Sequence, residues 1–599
     1  MASLPGYKGE ILDVEALPNG ATSLPAAPDF RDIAERSLHY LANNPDPERG
    51  YQSRFSFFLL LCPPFAPLQW FTPETMKKYV DPIAVGDTEN RNDAAFNKMR
   101  EIAGSDTGLE VQEIVHRRLV GYVRGGPGRF GEGVCWCDPL VFSEQPDGDY
   151  ISQWATSKLL ESETDLLRLT GDEEHAELSG RLARGLKRLA QWDTGRAFFP
   201  NGAGVLREDK VPPNWGDHYP HVIAPLTHFH EVTGDQEALD FAVAMAEGFL
   251  ADLQPRHLHC PRGHVHGHNH ILMHAVRGVA RLGALMGEWR FLDWAEAAYR
   301  FYAEGALDTG WLPEVIGLAD HQNHCETCLV GDMTECEIWL ARAGKPHYWD
   351  RVERTIRNYL MPLQFSLTPE LEDLYRRIHH GLPTEEVEGG LGIMRSIEGS
   401  FVSAPTPNDR IFAVRPDGKH EGSVEWEGER IVLDTMGCCA PRAMSVLHLA
   451  WASIVTEEAG RVLVNLPFDR DCAAAKVESE VPRAGQLTVT AKRTADYLLR
   501  PPGWAPRGEV KARRGGVPVD VEWAGPAKAY VRFASVRPGE TLHLSWPLVH
   551  FRQRASEVRL EGTPTCEGRF EEGPSYTFEW VGSVVKSVEP RGRWLPIYG

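Results

Sequence analysis

A short phrase recurs four times within the first 350 residues of this 599-residue chain, and it sharply limits the available folds. Leu169-Thr170-Gly171-Asp172, Val232-Thr233-Gly234-Asp235, Met286-Gly287-Glu288 and Ala343-Gly344-Lys345 punctuate a helical pattern. The segments Ile151 to Leu169, Gln236 to Leu253 and Arg290 to Tyr302 carry apolar residues at three- and four-residue spacing. The four glycines stand 63, 53 and 57 residues apart. Each ends one helix and is soon followed by another, which is the position of a C-cap glycine in an αα-hairpin. Hairpins stacked at such a period make an open solenoid or a closed ring. The expected fold is the closed form, an (α/α)6 toroid spanning 1–459, with helical pattern from about Phe30 to Glu458.

After Gly460 the pattern changes. Arg461 to Phe468, Gln486 to Arg493, Lys528 to Phe533 and Thr541 to Trp546 are β-branched or alternating segments between Pro/Gly turns. They predict a β-sandwich domain over 460–599. A second β-rich stretch, 396–433, carries Pro416-Asp417-Gly418 as a turn. It reads as an excursion from the toroid, because helical pattern resumes from Pro441 to Thr456.

Charge narrows the function classes. Lys plus Arg number 63 against 84 for Asp plus Glu, a net charge of −21 that repels phosphate backbones and anionic lipid headgroups. Nucleic acid and membrane are therefore not expected partners. The longest apolar run, Phe55 to Phe65, is too short to span a bilayer. No basic segment followed by an apolar stretch opens the chain, so the expected location is cytoplasmic. The 11 cysteines are odd in number and unevenly spaced, which argues for reduced thiols over a disulfide framework. With 17 Trp and 16 Tyr the chain has ample rings for stacking on a carbohydrate, although most such rings serve a core. Assembly as a homodimer is left open.

The glycine phrase also works as a ruler. His221 and His274 each lie 13 residues before a phrase glycine, Gly234 and Gly287. Glu326 and Cys328 precede Gly344 by 18 and 16 residues, and Cys438-Cys439 open the Pro441 helix. In a ring of hairpins, equivalent helix ends point to one rim, so these side chains belong around one mouth. A single such histidine is more often a satisfied core residue; the shared register shifts the balance toward a site. His324-Cys325-Glu326-Thr327-Cys328 together with Cys438-Cys439 has the composition of a tetrahedral zinc site. Spacing alone favours Cys325, Cys328, Cys438 and Cys439, with Glu326 as the competitor of Cys325. A histidine-rich stretch from Arg256 to His274 reads as a polar loop at the mouth, with His264, His266, His268 and His270 alternating along an extended chain. Trp215-Gly216-Asp217-His218-Tyr219 is placed similarly.

Glu326-Thr327-Cys328, Cys438-Cys439 opening a helix, His274-Ala275-Val276-Arg277 and Arg500-Pro501-Pro502-Gly503-Trp504 resemble the signature of the β-L-arabinofuranosidase-type glycoside hydrolases (family 127, DUF1680-like). The resemblance runs from about His221 to Trp546. It implies an (α/α)6 barrel followed by β-sandwich material and a Zn2+ held by Glu326, Cys328, Cys438 and Cys439. Cys438 would then be the nucleophile of a retaining glycosidase, Glu314 the acid/base, and His221 and His274 would line the sugar pocket. Such a pair of groups suits double displacement on a carbohydrate substrate, a small furanoside or plant-glycan fragment.

The chain departs from that signature in four places. Cys325 adds a thiol beside Glu326, and Ala440-Pro441-Arg442 stands where Pro-Pro-Asn is usual. Glu314 precedes Glu326 by only 12 residues, and 110 residues separate Cys328 from Cys438. The rival readings are a toroid epimerase or polysaccharide lyase using His221 and His274 as acid and base, and a non-catalytic carbohydrate-binding protein with a structural zinc.

Overall fold

The computed structural model describes residues 4–17, 24, 29–54, 56–61, 83–124, 133–136, 151–199, 221–252, 269–314, 324–414, 416, 420, 422–561 and 569–599. Within them the chain alternates between outer and inner helices. The outer helices are α1 (Phe30–Asn43), α3 (Leu109–Gly121), α5 (Glu173–Leu189), α7 (Gln236–Asp252), α9 (Trp289–Glu304) and α11 (Tyr348–Thr355). The inner ones are α2 (Ile83–Ala103), α4 (Gln153–Thr170), α6 (Ile223–Thr233), α8 (Asn269–Met286), α10 (Thr327–Arg342) and α14 (Cys439–Ser453). Each inner helix packs on the next, and α14 packs back on α2, closing the ring. The toroid expected from the glycine period is the one observed.

Burial explains the alternation. Helix α10 is buried on all sides from Thr327 to Ala341, as an inner helix must be. Outer helix α5 buries one stripe, with Ser179, Leu182, Ala183, Leu186 and Leu189 at helical spacing, and turns its charges to solvent.

The phrase glycines do what their sequence context predicts. Gly171, Gly234, Gly287 and Gly344 have φ of +71°, +74°, +69° and +96°, a left-handed conformation that costs glycine little. Gly171 and Gly234 donate their N–H groups to Leu167 and His230 carbonyls, at 2.8 Å each, closing the inner helix. The following aspartate caps the outer helix: Asp172 accepts from the Glu174 amide and Asp235 from the Ala238 amide, both at 2.9 Å. Gly104, with φ of +63°, ends α2 in the same way and is a fifth member of the series. Its sequence signal is weak because Ser105-Asp106-Thr107-Gly108 separates it from the next helix.

Ring closure is reinforced by a charged residue. Glu101 on α2 accepts hydrogen bonds from Arg168 Nη2 on α4 at 2.6 Å and from His448 Nε2 on α14 at 3.0 Å.

Between α11 and α14 the chain leaves the ring. It forms α12 (Pro369–Ile378), α13 (Thr384–Ser396) and a small sheet in which Glu429–Val432 lies between Phe412–Ala413 and Val424–Trp426. The strands of this excursion begin later than the β-rich reading of 396–433 suggested, because the chain first runs irregularly from 397 to 411. Helix α14 also ends earlier than expected, at Ser453, and Val455–Glu458 is already a strand.

The C-terminal part is β. A five-stranded sheet includes Arg461–Val464, Ala495–Leu499 and Tyr530–Val536. A six-stranded sheet includes Ala475–Ser479, Gln486–Ala491 and Thr541–Ser545. Alternation decides which face is buried: Leu487, Val489, Leu542 and Leu544 point into one core with Val462, Val464, Val531 and Phe533. A third sheet joins Leu548–Glu561, Arg569–Val581 and Val584–Glu589 to a strand from the start of the chain, Glu10–Leu17. That pairing puts the first strand of the chain in the β-rich part.

The Arg500-Pro501-Pro502-Gly503-Trp504 turn seats this β part on α11. Arg500 Nη1 donates to Asp350 Oδ1 at 2.6 Å, and the Gly503 amide donates to the same oxygen at 3.0 Å. A Cβ at Gly503 would lie 2.5 Å from Asp350 Oδ2, so the close approach requires glycine there. Trp504 Nε1 donates to Ser583 Oγ at 3.1 Å. Among the described residues no helix is long and apolar enough to cross a membrane.

Candidate functional site

The N-terminal ends of the inner helices α6, α8, α10 and α14 gather the residues singled out by the ruler. His221 immediately precedes α6, His274 is in the second turn of α8, Glu326 is the N-cap of α10, and Cys438 is the N-cap of α14. Parallel helix N-termini around one rim give that mouth a positive bias favouring thiolate and carboxylate.

Glu326, Cys328, Cys438 and Cys439 form one cluster, their ligand atoms all within 4.8 Å of one another. Cys328 Sγ lies 3.2 Å from Cys439 Sγ, and Cys438 Sγ lies 3.8 Å from Cys439 Sγ. Four ligands around zinc at a Zn–S length of about 2.3 Å place sulfurs about 3.8 Å apart, so the donor set and its spacing fit a tetrahedral ion. The 3.2 Å pair is closer than that and needs to open by about 0.6 Å to fit such an ion.

Cys325 is not a member of this group. It points into the core, where burial pushes its thiol up to about 12. The ligand set favoured by spacing alone is therefore not the one the fold assembles. The reason is local geometry. Residues 325 and 326 precede the helix in extended backbone, so their side chains diverge, whereas Cys328 is in the first turn and points inward with Glu326.

The excursion brings the two halves of the cluster together. Thr327 donates its amide to the Ser403 carbonyl at 2.9 Å and its hydroxyl to the Val402 carbonyl at 2.7 Å. Ser403 in turn donates its amide to the Asp434 carbonyl at 3.1 Å. Residues 402–403 thus clip the start of α10 to strand Asp434–Met436, which leads directly into Cys438.

The three cluster thiols differ. Burial drives Cys328 and Cys439 well above the usual thiol range. Cys438 is held well below it by hydrogen bonds from those two thiols, with Arg91 and His270 adding positive charge nearby. Cys438 is also the partly exposed member, while Cys328 and Cys439 are buried. One thiolate, stabilised by two thiols and reachable from the mouth, is the result.

Glu314 and Cys438 share Asp434 as a neighbour. His324 Nε2 donates to Glu314 Oε2 at 2.6 Å, the glutamate side chain is 24% exposed, and His324 stacks on Phe412. Asp434 lies close enough to sense both Glu314 and Cys438. Its carboxyl is raised to about 7, first by burial and then by those two negative neighbours. Asp434 and His324 were not singled out from sequence for this role; each lies beside a motif residue, and only the fold shows that they share its surroundings.

The histidines form a wall. His221 sits between Trp154, with ring centroids 3.7 Å apart, and His274, 4.2 Å away. Lys158 Nζ donates to His274 Nε2 at 2.7 Å. Burial, with the Arg277 and Lys158 charges, holds His274 well below the usual histidine range, so it stays a neutral acceptor. Trp154 and Lys158 on α4 had no sequence signal beyond helical periodicity. His270 belongs to α8 rather than to an extended loop, and its Nδ1 donates to Asp332 at 2.6 Å. The rest of the histidine run, His257 to His268, and Trp215 to Tyr219 lie outside the described residues.

Beneath the cluster, Arg442 is absorbed by a buried charge network. Its Nε lies 2.7 Å from Asp332 Oδ1, and Arg277 Nη1 lies 2.7 Å from Glu335 Oε2. Cys328, Asp332 and Glu335 fall at i, i+4 and i+7 on one face of α10.

No protein-family model matches the chain, and no curated protein matches it by sequence. Solved structures do. A GH127 β-L-arabinofuranosidase from Geobacillus stearothermophilus T6 superposes with a TM-score of 0.56 at 13% identity, covering 92% of this chain and 86% of that one. A second GH127 β-arabinofuranosidase gives 0.51 at 12% identity over 95% and 84%. A further structure described as a glycoside hydrolase gives 0.51 at 12% identity over 89% and 85%. The chain shares their fold.

Proposed function

We propose that the chain is a retaining glycoside hydrolase of the β-L-arabinofuranosidase type, acting on a small furanoside or plant-glycan fragment. The observation that carries this reading is Cys438: the partly exposed thiol of a cluster of one glutamate and three cysteines, held below the usual thiol range by its two neighbouring thiols, with Asp434 as a neighbour it shares with the Glu314–His324 pair. The fold shared with GH127 enzymes supports it.

Glu326, Cys328, Cys438 and Cys439 would hold Zn2+. A bound zinc ion keeps its thiols deprotonated at neutral pH, at some cost in nucleophilicity. The residues then divide the work. Cys438 Sγ attacks the anomeric carbon while Glu314 Oε protonates the departing oxygen, leaving the sugar on sulfur. Glu314 next takes a proton from water as that water attacks the same carbon, releasing the sugar with its configuration retained. His324 orients the Glu314 carboxyl through its 2.6 Å hydrogen bond. The Trp154–His221–His274 ring cluster would line the inner wall of the sugar pocket.

A panel of aryl furanosides and pyranosides of both series, followed by mass spectrometry of the trapped enzyme, tests the proposal. A sugar adduct on the peptide bearing Cys438 is expected. Turnover with the adduct on a carboxylate, or no cleavage of any glycoside by folded, zinc-loaded protein, would sink it.

A further inference from the structure

Away from the mouth, a second group of metal-ligating side chains joins three helices. His116 on α3, Glu163 on α4 and His175 on α5 each offer one ligand atom, and these atoms lie within 4.8 Å of one another. His175 Nδ1 is 2.7 Å from Glu163 Oε2, and His116 Nε2 is 3.2 Å from Glu163 Oε1. Glu163 is fully buried, whereas the His116 and His175 side chains are 19% and 22% exposed, which leaves a solvent-facing side. Glu163 lies ten residues beyond Gln153, the first residue of α4, so this group is about 15 Å along the helix axis from the rim that bears Cys438.

We propose that His116, Glu163 and His175 form a second site, for a divalent transition-metal ion such as Zn2+, with solvent as the remaining ligand. Three features carry this. The donor set, two imidazoles and one carboxylate, is one that binds such ions. The outer shell is built: His116 Nδ1 is 2.8 Å from Asp93 Oδ2, and Asp93 accepts from Ser162 Oγ at 2.6 Å. A carboxylate on the far nitrogen fixes the ring and its tautomer and directs Nε2 toward Glu163, as in carboxylate–histidine–metal arrangements. The charge also fits: against burial, Asp93 and Glu163 raise the His116 pKa to about 9, so the pocket already draws in positive charge, and a dication would take the place of that proton.

The third group of this kind, His270, His274 and Asp332, is a poor metal site by the same reasoning. Arg277 and Arg442 already occupy Asp332, and Lys158 occupies His274 Nε2. The proposed ion would pin the outer helices α3 and α5 to inner helix α4, stiffening the ring at the end opposite the mouth.

Co2+ titration of the metal-depleted full-length chain tests this, because sulfur-bound Co2+ shows thiolate charge-transfer absorption and an N/O site shows only weak d–d bands. Wild type is expected to bind an ion with d–d bands alone, and His175→Gln and His116→Gln to lose that ion. Both variants should keep any thiolate band, and Zn2+ should raise the thermal midpoint of wild type more than theirs. An unchanged number of bound ions in both folded variants, or the absence of an N/O-bound ion in wild type, would overturn the proposal. Absence of the thiolate band alone counts against the catalytic zinc site and leaves this one standing.

Discussion

Cys328 Sγ and Cys439 Sγ lie 3.2 Å apart although 111 residues separate them in sequence. The intervening chain includes α11, α12, α13 and a three-stranded sheet, and it returns through Ser403 and Asp434 to place Cys438-Cys439 against Cys328. This contact makes a single site of two distant motifs.

Replacing Cys438 with Ser is expected to lower kcat for an aryl β-L-arabinofuranoside by at least about a thousandfold in a protein that still folds, since a hydroxyl is a far weaker nucleophile at neutral pH. Steady-state kinetics with circular dichroism as the folding control makes the measurement. Wild-type turnover in the serine variant would remove Cys438 from the mechanism.

Metal content separates the roles of Cys325 and Glu326 beside α10. Glu326→Ala is expected to weaken zinc binding by at least about tenfold through loss of a ligand. Cys325→Ala should retain the full zinc complement, because that thiol faces the core, and instead lose stability by about 1–2 kcal/mol from the small cavity left behind. Elemental analysis after dialysis against a chelator, paired with denaturant melts, reads both. Zinc loss in Cys325→Ala with retention in Glu326→Ala would restore the four-cysteine set.

Glu101 makes ring closure sensitive to acid. Burial would raise its carboxyl, but hydrogen bonds from His448 and Arg168 outweigh burial and depress it to about 2. Burial in turn lowers the pKa of His448. A depressed carboxylate stabilises the fold above its unfolded value, near 4.5, and that contribution disappears as pH falls through about 2. With partial exposure discounted, Glu101→Gln should cost about 1 kcal/mol at pH 7 and almost nothing near pH 2. Urea melts across that range check the sign; an equal cost at both ends would refute it.

The Arg500–Asp350 pair is buried on both sides, with side chains 2% and 8% exposed. Arg500→Met leaves the Asp350 carboxylate without its partner and is expected to destabilise by about 3–5 kcal/mol. Arg500→Met combined with Asp350→Leu should recover part of that loss, because the stranded charge is gone. Thermal melts of the single and double variants decide whether the turn holds the β part to α11 through this pair.

Zinc-independent glycoside cleavage provides a fifth check. Removing metal from wild type should abolish turnover and lower the thermal midpoint together, since the same four side chains would hold the ion and tie α10 to α14. A chelated protein with full activity would make any metal there dispensable.

The toroid was legible because its signal is local and repeated. A left-handed glycine closing one helix and an aspartate capping the next are decisions made within five residues, as Gly171-Asp172 and Gly234-Asp235 show. Strand alternation was legible for the same reason at Gln486–Ala491 and Thr541–Ser545. Motif spacing identified the thiols, and the resemblance to family 127 named Glu326 as their fourth partner. Tertiary structure decided what depends on direction and on distant chain. The extended backbone before α10 sends Cys325 into the core and Glu326 to the cluster, although the two are adjacent in sequence. Trp154 and Lys158 joined the site only when the ring closed, because nothing in their own neighbourhoods distinguishes a wall of the mouth from ordinary core, and the partners of His324 and Asp434 depend on where the excursion returns. Sequence alone thus determined the helices that end in the glycine phrase and where they stop. Packing decided which of their side chains face one another, since that depends on how six inner helices close and on where a long excursion returns.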